Sequence, residues 1–241
     1  VPLLDEREWQ ALEHTVLVRH RLEEHFESFE QQNQTAALGM WLFLATEVMF
    51  FGVLFTALEV YRYLYAEAFE IASSQLNWQI ATANTVILLL SSMTMALAVH
   101  FAQTGRKRPL TVCLLITAAL AAGFLVLKGY EYYEDFQEGL VLGSHFRPSD
   151  WIERGLSRDQ IPQVKLFLFL YWFMTASHAV HVTIGIGVIL VIATLAARGS
   201  FDAEYYAPVD VTGLYWHFVD VVWIFLLPML YLLGTHRAIT P

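Results

Sequence analysis

Five ionisable side chains interrupt long apolar runs in this sequence: Glu47, His178, His181, His217 and Asp220. Imidazole and carboxyl groups can hold a proton, relay one or ligate a metal. His178 and His181 stand three apart, as do His217 and Asp220, so each couple shares a face if its run is helical. Neither couple completes a site. A di-iron bundle needs Glu-x-x-His motifs plus further inward glutamates, and Glu47 alone stands at the matching depth. A b-type haem between His181 and His217 would need a cavity, which a sequence does not display. There is no phosphate-binding loop, nucleophile elbow or metalloprotease motif. A small transporter would show paired Gly/Pro breaks, and Pro228 is the only proline inside a run. The polar groups therefore read as partners for one another, for a lipid headgroup or for a neighbouring subunit.

Positioning such groups requires long apolar helices. The chain has 241 residues, of which 56% are hydrophobic and 15% charged, with a mean hydropathy of +0.47, values that belong to the membrane class. Roughly 20 apolar residues cross a bilayer as a helix. Five runs meet that length, at about residues 36–61, 79–102, 110–131, 163–197 and 209–235. The expected fold is all-α: a polytopic membrane protein whose residues 35–241 form a five-transmembrane-helix bundle. Residues 1–34 precede it as an amphipathic arm, with His14, His20 and His25 among its charges.

The spacing of polar residues makes further predictions. Phe43, Phe50 and Phe51 surround Glu47 on its own helix, and no lysine or arginine lies in that span. Its carboxyl group is expected to donate a hydrogen bond to a neighbour such as His178 or His181, or to a lipid. Asn84 and Ser91, and likewise Thr85 and Ser92, are seven apart, a pattern suited to interhelical hydrogen bonds. Thr175, His178, His181 and Gly185 form one stripe. His217 and Asp220 are expected to reach each other within a polar cluster that locks the last helix. Charge and tyrosine mix in KGYEYYEDF, residues 128–136, which reads as a membrane boundary.

Charge and cysteine content narrow the class. The net charge is −9, and the arm carries eight acids against three arginines, which argues against nucleic acid or anionic lipid as a partner. Cys113 is the single cysteine, so no disulfide or cysteine-based cluster forms within the chain. Basic residues concentrate in the arm and at Arg106, Lys107 and Arg108, and the loop at 66–77 has none. That bias predicts a cytoplasmic N-terminus and an outside C-terminus.

The sequence resembles subunit III of haem–copper respiratory oxidases, of the cytochrome c oxidase and quinol oxidase type. The blocks that carry the resemblance are GMWLFLATEVMFFG (39–52), ANTVILLLSSMTMALAVH (83–100), KGYEYYEDF, TASHAVHVTIG (175–185) and GLYWHFVDVVWIFL (213–226). The family's mid-span glutamate falls on Glu47, its His-x-x-His on His178 and His181, and its Trp-His-x-x-Asp on Trp216, His217 and Asp220. The seven-helix members carry an additional first pair of helices, which an extension of subunit I supplies in some bacterial oxidases. Ala176 and Ala179 replace glycines common beside the histidine pair. Accessory subunits of nitric oxide reductases share these blocks. The resemblance implies a non-catalytic subunit of a proton-pumping terminal oxidase, cytochrome c oxidase first and quinol oxidase as the alternative. It implies no cofactor in this chain and haem and copper in partner subunits. It further implies direct contact with subunit I, support of proton uptake, and protection against turnover inactivation. Bound phospholipid and membership of a respiratory supercomplex fit the same picture, in a bacterial cytoplasmic membrane.

Overall fold

The computed structural model describes residues 29–143, 146–203 and 205–232. The arm's histidines and residues 233–235 of the last expected span lie outside them. Among the described residues seven α-helices form: α1 Phe29–Leu64, α2 Ala66–Ser73, α3 Trp78–Gln103, α4 Lys107–Gln137, α5 Pro148–Glu153, α6 Ile161–Ala197 and α7 Ala207–Tyr231. A single 3-10 turn, Arg158–Gln160, leads into α6. Five of them, α1, α3, α4, α6 and α7, are long and apolar enough to cross a membrane. The chain is a multi-pass membrane protein.

Two boundaries differ from the sequence reading. Within the described residues the chain is already helical at Phe29, so the end of the arm is continuous with the first span. The third span runs on to Gln137 and takes KGYEYYEDF into the helix. Local sequence sets several helix ends. The Asn77 side chain accepts from the Ile80 amide at 3.3 Å and caps α3. Gly139 and Gly199 adopt φ of 73° and 79° just past α4 and α6. There the Leu140 and Ser200 amides return to the Asp135 and Leu195 carbonyls, closing both helices with the left-handed turn that glycine favours.

Helices α3, α4, α6 and α7 form the packed centre, and α1 lies along its edge. The hydroxyls of Thr94 on α3 and Thr117 on α4 meet at 2.7 Å. Rings pair Phe124 of α4 with His178 of α6, and His178 with Trp223 of α7. Phe43, Phe51 and Phe55 of α1 meet Tyr215, Phe218 and Phe225 of α7 in rising order, so those two helices run parallel. Only Leu44, Phe51 and Leu58 of α1 are buried, one every seven residues, the single seam of a helix packed on one side. Gly185 marks a close approach of α6 to α7: a Cβ there would lie 2.7 Å from the Trp216 ring.

Candidate functional site

The buried polar groups fall into three places. The first lies between α3 and α7. Ser91 donates to the Leu88 carbonyl at 2.8 Å and accepts from Trp216 Nε1 at 3.1 Å. Thr85 likewise donates to Ala81 and accepts from Trp223 Nε1 at 3.0 Å. His217 Nδ1 lies 2.7 Å from the Ser92 hydroxyl. The seven-residue hydroxyl spacing thus becomes an interhelical contact, as the sequence predicts. The expected His217–Asp220 pair does not form. Asp220 also has Ser92 as its polar neighbour, but neither of its carboxyl oxygens makes a well-aligned hydrogen bond. The physical reason is direction: side chains on one helix face still diverge, and Ser92 of α3 sits nearer to both. Asn84 is buried in the same helix and its amide is likewise without a partner.

The second place joins α1 to α6. His181 Nε2 lies 3.1 Å from Glu47 Oε2, and Nδ1 lies 2.8 Å from the Ser177 carbonyl oxygen. A carbonyl only accepts, so Nδ1 carries a hydrogen. One proton then remains to be shared between Nε2 and Glu47: the carboxyl donates to a neutral ring, or an imidazolium donates to a carboxylate. Both ring nitrogens of His181 are engaged, which leaves none free for a haem bridge to His217. His178, one turn before, is fully buried between Phe124 and Trp223, and neither of its nitrogens has a hydrogen-bond partner. The two histidines thus have separate surroundings. Among the described residues no group of three or more His, Cys, Asp or Glu side chains gathers as a metal site.

The third place was not read from the sequence. Lys128, Glu131 and Asp135 of α4 are 2%, 1% and 4% exposed, inside the bundle. Lys128 Nζ donates to Tyr231 Oη at 2.6 Å, Tyr171 Oη at 3.2 Å and Glu131 Oε1 at 3.0 Å. Tyr231 donates to Glu131 Oε1 at 2.6 Å, and Tyr171 Oη lies 2.7 Å from Asp135 Oδ2 and 3.0 Å from Glu131 Oε1. Four aromatic rings, Tyr132, Tyr171, Trp223 and Tyr231, stand 4.9–5.6 Å from the ammonium. The signal was the i, i+3, i+7 spacing, which puts all three charges on one face. Tyr130, Tyr133 and Phe136 lie exposed on the other. Hydropathy alone places charges in water, so the run read as a boundary.

These three places tie α1, α3, α4, α6 and α7 into one unit. The family model for cytochrome c oxidase subunit III matches residues 164–235, which hold His178, His181, His217 and Asp220. The chain is 32% identical to cytochrome c oxidase subunit 3 of Thermostichus vulcanus over 201 residues, 81% of this chain and 86% of that one. It is 28% identical to quinol oxidase subunit 3 of Bacillus subtilis (strain 168) over 214 residues, 85% of this chain and 92% of the relative. It is also 28% identical to the probable quinol oxidase subunit 3 of Staphylococcus haemolyticus over 210 residues, 86% and 94% of the two chains. The chain belongs to the subunit III family of haem–copper respiratory oxidases.

Proposed function

We propose that this chain is a non-catalytic subunit III of a bacterial terminal oxidase that takes its electrons from a quinol. Haem and copper sit in partner subunits, and subunit I is its direct neighbour. The observation that carries the supporting role is the use made of the polar residues. Glu47, His181 and His217 each bond a side chain of another helix, and Lys128, Glu131 and Asp135 are enclosed by two tyrosines from α6 and α7. Groups spent in this way hold helices together rather than meet a substrate. The quinol assignment is supported by relatives named quinol oxidase subunit 3 that cover 85–86% of this chain. A second reading, with cytochrome c as donor, is favoured by the 32% identity to the cytochrome c oxidase subunit. In both, the arm faces the cytoplasm, the chain ends outside, and the subunit sustains proton uptake and the durability of subunit I.

An affinity tag on this chain, followed by mild solubilisation, tests the assignment. A large haem–copper chain should co-purify, and the complex should consume dioxygen with a quinol and not with reduced cytochrome c. The opposite donor preference would select the second reading. Purification of the chain alone with its own haem spectrum, or solute uptake by the chain alone in liposomes, would refute both.

A further inference from the structure

The cluster at the end of α4 has an unequal charge inventory. Lys128, Glu131 and Asp135, fully ionised, sum to one negative charge in a space where none is more than 4% exposed. The charged groups around Asp135 are Lys128, Glu131 and Glu138, one cation against two more acids. From α6 the cluster receives Tyr171 and from α7 Tyr231, both neutral donors. His178 stands further along α6, ringed by Phe124 and Trp223. Of the other described cations near this end, Arg147, Arg154, Arg158 and Lys165 are exposed, with Arg154 over the Trp151 ring and Lys165 over that of Phe146, and Arg62 pairs with Glu59. An uncompensated charge enclosed in protein is strongly unfavourable, whereas taking up a proton removes it. Neutrality therefore requires one proton more than the fully ionised cluster holds, however it is distributed.

Hydrogen-bond geometry says where that proton sits. Three oxygens stand within 3.2 Å of Lys128 Nζ, one of them the Glu131 carboxylate, the surroundings that suit an ammonium. Glu131 Oε1 receives Lys128 and Tyr231 at 3.0 and 2.6 Å, as a carboxylate oxygen does. Glu131 Oε2 is enclosed without a partner, so a hydrogen placed there would find no acceptor. Asp135 Oδ2 lies 2.7 Å from Tyr171 Oη, which lies 3.0 Å from Glu131 Oε1, so a hydrogen on Oδ2 can go to Tyr171 while Tyr171 gives its own to Glu131. Asp135 also stands in the last turn of α4, where no basic residue offsets the negative end of the helix dipole. We propose that Asp135 is a proton-binding site of this subunit, held as a neutral carboxylic acid by the Lys128–Glu131 pair and Tyr171. The proton exchanges at the face where α1 and α7 end, because Tyr231, the last residue of α7, closes the cluster and α7 runs parallel to α1. Its release, Asp135–COOH to carboxylate plus a proton taken by water, leaves the cluster with a net charge where α4, α6 and α7 meet.

The test is pH-jump infrared difference spectroscopy on the complex purified through a tag on this chain. Raising the pH should remove a protonated-carboxyl C=O band in the native complex, and Asp135→Asn should lack that band. The Asn amide copies the neutral acid, so this variant should retain the subunit at the native level. Tyr171→Phe, which removes this hydrogen-bond partner without changing charge, should keep the band and shift it. The proposal is overturned if the band survives in Asp135→Asn, if it is unshifted in Tyr171→Phe, or if Asp135→Asn loses the subunit from the complex. The last result would mean that the structure needs the carboxylate.

Discussion

Replacing Gly185 by alanine tests the packing that sets α6 against α7. The added Cβ would meet Trp216 Cζ3 at 2.7 Å and Cε3 at 2.9 Å. Carbon atoms settle at about 3.5–4.0 Å, so the ring must withdraw by roughly 1 Å. It has nowhere free to go: Trp216 is 0% exposed, and its Nε1 is bonded to Ser91 at 3.1 Å. Overpacking of this kind costs about 1–3 kcal/mol, and losing the indole hydrogen bond adds about 0.5–1.5 kcal/mol. A total of about 2–4 kcal/mol follows. Gly187, two residues on, is the control, because a Cβ there meets nothing within 4 Å. Both variants gain the same helix propensity, so their difference isolates the clash. The measurement is thermal denaturation of the purified complex, followed by retention of this subunit. Gly185→Ala should fall apart at clearly lower temperature than Gly187→Ala. Equal behaviour of the two would refute the close approach.

Three shorter expectations follow from the polar places. Glu47→Gln keeps a donor for His181 Nε2, so assembly and most oxidase turnover should survive, whereas Glu47→Leu should loosen α1; oxygen uptake and subunit retention measure both. Lys128→Met removes the cation from two enclosed carboxyl groups and should cost about 3–5 kcal/mol, read as loss of the subunit in detergent. Ser92→Ala takes the partner from His217 and the polar neighbour from Asp220, at about 1–3 kcal/mol, with thermal denaturation of the complex as the assay.

The five spans were legible because length and hydropathy determine them, and the hydroxyl spacing on α3 was legible because helical periodicity does. Glu47 was recognisable as a group in need of a donor or acceptor, with His181 among its named partners. What the sequence could not supply was direction. His217 and Asp220 share a face, yet they turn to Ser92, 125 residues from His217 in the chain. The Lys128 cluster depends on tyrosines 43 and 103 residues away, and only their arrival converts a run of boundary charges into a buried network. Pattern along one helix cannot report what closes over it.

The distribution of these contacts explains why the last helix carries so specific a sequence. Half of α7's most apolar window is buried in the bundle, against 11% of that of α1. Between helices in hydrocarbon the hydrophobic effect gives little attraction, so shape and hydrogen bonds must decide how they meet. Helix α7 reaches α3 through Trp216, His217 and Trp223, the His181 carbonyl of α6 through Tyr215, and Lys128 of α4 through Tyr231. The carbonyl of its Leu230 accepts from Ser73 of α2 at 2.6 Å. Each of these rings meets its partner through one polar atom, so that sliding α7 by one turn would break all of these contacts together. Phenylalanine or leucine at the same positions would fill the space equally well and leave the register undetermined. Trp216 and His217 of the block thus specify helix register, with polar atoms because packing alone is too forgiving along a helix axis.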